Sequence, residues 1–176
     1  RVAHVPFSFR YQGIDSRDLL PGWHKSSSLN KGQGRIYTYS DPKTGLVVTA
    51  EVRAFADNPD AADWVLGFRN DGTTDTSLID DILPLDLKTS TTRGTACYIR
   101  HARGSNAGAN DFEPLEERVH PGESDHLESS GGDPSSRNTL PFFNLQTGNG
   151  GLIGAIGWTG NWKADFSYHS DGKTLV

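Results

Sequence analysis

Methionine is missing altogether, and cysteine occurs once, at Cys97, among 176 residues. One thiol excludes an internal disulfide framework and a zinc site built on several cysteines. It leaves the compartment open, with a secreted or periplasmic one favoured over the cytoplasm. No apolar run approaches the ~20 residues of a membrane span, so a membrane is not an expected partner. Basic residues are not in excess: 17 Lys and Arg stand against 22 Asp and Glu, a net charge of −5. Both signs are mixed along the chain without a basic stripe, which argues against nucleic acid as a partner. Apolar residues reach only 34%. A chain that starts at Arg1 and holds no Met is expected to be a piece of a longer polypeptide from which something upstream was removed.

What is present in quantity is turn-formers, 20 Gly and 9 Pro. They favour many short strands over long helices. Phe7–Tyr11 alternates apolar and polar, the period of a half-buried strand. Asp15–Pro21 reads as one capped helical turn stopped by its proline. Residues 25–34 (KSSSLNKGQG) are polar and read as a loop. Arg35–Ser40 and Leu46–Phe55, split by Asp41-Pro42-Lys43-Thr44-Gly45, form the clearest hairpin. Trp64, Leu66 and Phe68 alternate with Val65, Gly67 and Arg69, which makes Trp64 a core residue. Leu78–Leu87 is apolar but interrupted by Pro84, so edge-like or bulged. Ala96–His101 is a short strand. Residues 102–139 read mostly as loop, with one strand candidate at Glu116–His120. Leu140–Gln146, Leu152–Trp158 and Trp162–Tyr168 follow as strands, and Lys173–Val176 looks like the start of another. In Leu152–Trp158 one face carries Leu152, Gly154, Ile156 and Trp158. About ten short strands with almost no helix predict an all-β fold, a two-sheet antiparallel β-sandwich forming a single domain over 1–176.

Catalytic chemistry is poorly represented. There is no Gly-x-Ser-x-Gly elbow for a nucleophilic serine. His120, Glu123, Asp125 and His126 share the stretch HPGESDH, but the spacing fits neither an EF-hand loop nor a zinc motif. A solvated loop accounts for it, so no metal and no cofactor is expected. A glycosidase needs two carboxyl groups facing each other about 5–9 Å apart. Asp80, Asp81, Asp86, Asp111, Glu113, Glu116 and Glu117 are available, and the sequence selects no pair, so no catalytic residue is assigned. The aromatics say more. Trp158 and Trp162 lie four residues apart across Thr159-Gly160-Asn161. A tight turn there brings the indoles to one edge of the sheets, where they either cap the core or stack on a sugar ring or another domain. Two polar loops, Arg103–Phe112 and Gly131–Asn138, are dense in groups able to hydrogen-bond hydroxyls or a neighbouring backbone.

The stretch TYSDPKTGLVVTAEVRAFADNPDAADWVLGFRNDGTTDTSLIDDILPLDL resembles the N-terminal β-sandwich of α-galactosidase-like enzymes, glycoside hydrolase family 36 and its relatives. GGDPSSRNTLPFFNLQTGNGGLIGAIGWTGNW is similar to the segment that ends that domain, and FSFRYQG with LLPGW fits its start. The resemblance spans roughly Pro6–Phe166. It implies a sandwich followed by a (β/α)₈ barrel and a smaller C-terminal β domain, the barrel holding both catalytic aspartates of a retaining mechanism. A barrel takes ~250 residues, so the catalytic pair is expected outside this chain. The family's sandwich packs on the barrel, and one of its loops can reach the sugar pocket. Carried over, the positions matching such a carbohydrate- or domain-facing role are Trp158, Trp162, Arg137 and Asn138, with Asp111 beside them. The implied partners are a galactoside-type carbohydrate and the barrel itself. A stand-alone carbohydrate-binding, lectin-like sandwich is the alternative, and a purely structural or oligomerisation sandwich a third.

Overall fold

The computed structural model describes residues 5–30, 34–92, 94–129, 134–148 and 150–176. It is all-β, with antiparallel pairing throughout the described ladders. The chain divides into two compact units, Arg1–Leu87 and Lys88–Val176.

The first unit contains β1 (Ser8–Tyr11), β2 (Ile14–Asp15), α1 (Ser16–Leu19), β3 (His24–Asn30), β4 (Gly34–Ser40), β5 (Leu46–Ala54), β6 (Ala62–Asn70) and β7 (Ile79–Leu83). The strands order as β2-β1-β7 in one sheet and β3-β4-β5-β6 in the other. Asp15 caps α1 by accepting from Arg17 N at 2.8 Å, and a 3₁₀ turn at Leu20–Gly22, carrying Pro21, ends it. Asp41 holds the β4–β5 turn, accepting from Lys43 N at 3.0 Å and from the Thr44 hydroxyl. The alternation of β5 turns Leu46, Val48, Ala50 and Val52 inward, onto Phe9 and Tyr11 of the other sheet and Phe7 just before it. Phe9 meets Phe68 edge-on with ring centroids 5.4 Å apart, the arrangement that the ring quadrupoles favour.

The second unit contains β8 (Thr89–Ser90), β9 (Cys97–Ala102), β10 (Pro114–Val119), β11 (Ser124–Glu128), β12 (Phe142–Thr147), β13 (Gly150–Ala155), β14 (Lys163–Ser167) and β15 (Thr174–Leu175). Its main sheet runs β10-β9-β12-β13, with the pairs β11-β14 and β15-β8 beside it. Cys97, Ile99, Val119, Phe143 and Leu145 face Leu127, Trp162, Phe166, Tyr168 and Leu175 across the core. Phe143 and Phe166 close it in a T-shaped contact of 5.0 Å. Leu152 and Ile156 pack on this core while Ile153 points out, 78% exposed. Gly154 makes room for the Phe143 ring, since a Cβ there would lie 2.7 Å from Cε1.

Four local expectations need correction. Residues 25–30 belong to strand β3, not to a loop; residues 31–33 of that stretch lie outside the described ones. β3 is an edge strand paired only with β4, and its side chains are almost all exposed. No apolar face had to be buried, so no hydrophobic period marks it. Within 102–139, β10 takes in most of the strand candidate at Glu116–His120, whereas β11 lies where a loop is expected; both are mostly polar on their outer faces. Leu152–Trp158 is shorter than expected: β13 ends at Ala155, which leaves Trp158 beyond the ladder. Trp64 is half-buried rather than interior; it packs at the margin of the first core and donates its indole N–H to Pro84 O at 2.7 Å.

Candidate functional site

In the second unit, the segments that leave β9 and precede β12 lie side by side. Their strands are neighbours in the sheet, which carries the ladder onward into the connections. Arg103 bridges Thr139, Gly104 N donates to Asn138 O at 2.7 Å, and Ser105 N donates to Ser136 O at 3.0 Å. Gly104 has no room for a side chain. A Cβ would lie 2.7 Å from Asn138 N and 2.8 Å from Arg137 C, both backbone atoms that cannot swing away.

Three of the sequence-predicted residues meet on this frame, and Asn106 joins them. Its side-chain amide donates to Asn138 Oδ1 at 2.9 Å, and its Oδ1 accepts from Arg137 Nε at 3.0 Å. Its backbone N–H donates to Asp111 Oδ1 at 3.0 Å. Asp111 also accepts from Ser105 Oγ at 2.7 Å and Gly108 N at 3.2 Å. These bonds, led by that from Asn106 N, hold its carboxyl below the usual carboxylate range, because each favours the ionised acceptor. Asn138 takes a left-handed backbone, φ 62°, a conformation that asparagine tolerates better than most residues.

The two indoles separate. Trp162 is buried, 8% exposed, and donates Nε1–H to Ser135 O at 2.7 Å. Its backbone exchanges bonds with Ser129: Trp162 N donates to Ser129 Oγ at 3.0 Å and Ser129 N to Trp162 O at 3.1 Å. Trp158 is 66% exposed, and its indole lies over Gly160. Ser135 N donates to Thr159 O at 3.1 Å, so the turn carrying Trp158 is tied to the loop carrying Arg137 and Asn138. The result is one surface: an open indole beside a cross-linked patch of amide, guanidinium, hydroxyl and carboxylate. Such a surface can stack on an apolar face and exchange hydrogen bonds with hydroxyls or a backbone. Residues 131–133 of the second polar loop lie outside the described ones.

Sequence reasoning passed over Asn106 as an individual residue, although the loop that holds it stood out. Its role depends on strand adjacency between β9 and β12, which are separated by β10 and β11 in the chain. The acids considered as a catalytic pair mostly meet arginines: Asp81 with Arg10, Asp86 with Arg17, Glu113 with Arg103 and Glu116 with Arg100. Glu123 of HPGESDH accepts from His120 N at 2.9 Å and shapes a turn. Among the described residues, no group of three or more His, Cys, Asp or Glu is placed to hold a metal ion.

No family model matches the chain, and no curated protein sequence matches it. Among solved structures, the crystal structure of the GH36 α-galactosidase AgaA from Geobacillus stearothermophilus matches with a TM-score of 0.57 at 18% identity. The match covers 97% of this chain and 26% of that one. The chain therefore has the fold of about a quarter of that α-galactosidase.

Proposed function

We propose that the chain is the non-catalytic N-terminal β-sandwich domain, over 1–176, of an α-galactosidase-like glycoside hydrolase. In this reading it packs on a (β/α)₈ barrel and helps to wall the barrel's sugar pocket. The observation that carries it is the coverage asymmetry: almost the whole chain superposes on a minor part of an α-galactosidase, which leaves most of that enzyme without a counterpart here. The engagement of most candidate acids in ion pairs with arginines supports the same reading. Trp158 and the patch around Asn106 are then the parts that face the barrel or its sugar.

The test has two arms. The pure 176-residue chain should leave a chromogenic α-galactoside intact, and turnover by it overturns the reading. The coding sequence after Val176 should specify a barrel with aspartates at strand ends. In that longer polypeptide Trp158→Ala should lower kcat/KM while leaving Tm unchanged. A second reading, a stand-alone carbohydrate-binding module, is favoured by the exposure of the Trp158 indole. Saturable galactose binding lost in Trp158→Ala, with no barrel encoded downstream, would establish it instead.

A further inference from the structure

His101 is the one described residue with buried side-chain polar atoms left without a hydrogen-bond partner, and both ring nitrogens are in that state. Its side chain is 8% exposed, so what little of it meets solvent is carbon. It shares a face of β9 with the buried Cys97 and Ile99, and Leu115 of β10 stands opposite. A neutral ring keeps this seat by forgoing two hydrogen bonds. A charged ring cannot keep it, because an imidazolium has two N–H donors to satisfy and a charge to solvate. Burial accordingly lowers the pKa of His101 from 6.5, against the pull of Glu117 and Asp125.

A second seat lies next to the first. His101 borders an open cleft of about 330 Å³, ample for an imidazole ring when a water takes about 30 Å³. The cleft is acidic. Glu117 of β10 and Asp125 and Glu128 of β11 line it, and no Lys or Arg does. Glu117 Oε1 stands 4.0 Å from His101 Nε2, so a modest turn of the ring brings the two within hydrogen-bond distance. His126, the remaining titratable group of the lining, pairs in register with Asp165 of β14. Lys163, opposite Glu128, is engaged by Asp165 at 3.4 Å. The side chains that β12 and β14 turn into the core, Phe143, Leu145 and Phe166, carry no charge. The carboxylate-lined space favours the charged ring, as the apolar seat favours the neutral one.

The cleft is also walled by Asn138 and Thr139, from the segment before β12. The carbonyl of Asn138 accepts from Gly104 N, its Oδ1 accepts from the Asn106 amide, and Thr139 bridges Arg103. A cationic ring arriving in the cleft offers N–H donors that compete for these oxygens. We propose that His101 is a proton-operated latch. Neutral, it sits in the core and leaves the loop frame closed. Protonated, it turns into the cleft onto Glu117 and Asp125, and the Asn138–Thr139 wall moves to admit it, which loosens the hub at Asn106. The latch acts whether or not the chain packs on a barrel. It keeps the surface beside Trp158 ordered near neutrality and frees it in mild acid.

A pH titration of the 176-residue chain by NMR tests it, following the carbon-bound ring protons of His101 and the side-chain amide of Asn106. The ring should titrate with a midpoint below 6.5, and the Asn106 amide should shift with the same midpoint while the chain stays folded. Asp111, which accepts from Asn106 N, does not produce that step, because its carboxyl is held below the usual carboxylate range. His126→Gln should leave the Asn106 response in place; its loss there would assign the response to His126 and overturn the latch. Glu117→Gln, at a half-exposed position, removes the carboxylate that receives the ring and should lower the His101 midpoint by roughly half a pH unit or more. A midpoint that Glu117→Gln leaves in place overturns the proposal, as does a His101 that remains neutral down to global unfolding. An Asn106 amide that ignores the His101 midpoint overturns it too, and reduces His101 to a titrating core residue with no hold on the loops.

Discussion

The Trp162 indole N–H donates to the carbonyl of Ser135 at 2.7 Å, across 27 residues of chain. The bond fastens the loop that carries Arg137 and Asn138 to the core, because the ring behind it is buried among Leu127, Phe143 and Phe166. Trp162 thus acts on the candidate surface from below. Trp162→Ala should cost about 3–5 kcal/mol, the usual range for emptying a large aromatic site. Trp162→Phe keeps most of the packing and should cost about 1 kcal/mol through the lost hydrogen bond. Thermal unfolding of both variants checks the order; equal losses would mean that the bond to Ser135 contributes nothing beyond packing.

Gly104 offers a sharper probe of the same loops. The space where its Cβ would stand is filled by backbone of Ser136, Arg137 and Asn138. Gly104→Ala must push the two loops apart, breaking the bond from Gly104 N to Asn138 O. We expect a loss of about 1–3 kcal/mol, the scale of overpacking. The Asn106 side-chain amide signals should also broaden or shift as their partners move. An unchanged Tm would show that the loops separate without cost.

Asp111 should behave differently, since its bonds are local and solvent-facing. Asp111→Ala removes the acceptor for Ser105 Oγ and for the amides of Asn106 and Gly108. Hydrogen exchange at those two amides should accelerate while the global Tm moves little, as expected of a local opening unit. Acid should reproduce part of this: the carboxyl is held below its ordinary value, so its contribution is present above that value and fades as pH falls through the lowered one.

The sequence was most legible where one face had to be buried. β5 and β6 alternate visibly because Val48, Ala50, Leu66 and Phe68 face a core, and the Asp41–Gly45 turn between β4 and β5 carries its own chemistry. β3 and β11 escaped because one lies at a sheet edge and the other in a two-stranded ladder, both with mostly polar side chains. Their strand state is set by backbone pairing, β3 with the adjacent β4 and β11 with the distant β14, which leaves no period to read. The candidate residues follow the same division. Trp158, Arg137, Asn138 and Asp111 stand out by type and by loop composition. The hub at Asn106 and the orphaned imidazole of His101 exist only once β9 has been placed beside β12 and β10.

At the end of the second unit, Asp171 secures the turn into β15. It accepts from Lys173 N at 2.8 Å, from the Thr174 hydroxyl at 2.7 Å and from Thr174 N at 2.9 Å. These bonds, that from Lys173 N foremost, lower its pKa from 3.8 to about 2. A depressed carboxylate contributes fully above the unfolded value and loses that contribution as pH falls through the folded one. The pairing of β15 with β8 should therefore loosen between pH 3.8 and about 2. Asp171→Ala should show the same loosening at neutral pH, read as faster exchange of the Thr91 amide, which donates to Lys173 O.

His101 adds a slope of the same sign at a higher pH. Burial lowers its pKa from 6.5, against the pull of Glu117 and Asp125 toward the charged form, while His126 and Glu128 line the same cleft. The folded chain thus binds a proton less readily than the unfolded one. Stability is fully present above pH 6.5 and should decline as pH falls below it toward the lowered value. His101→Leu removes both the titration and the two unpartnered nitrogens. At neutral pH it should be as stable as the parent or more so, because an apolar group replaces a buried polar one that lacks partners. Its urea midpoint should also lose the dependence on pH just below neutrality. A destabilised His101→Leu with an unchanged pH profile would make His101 a packing residue.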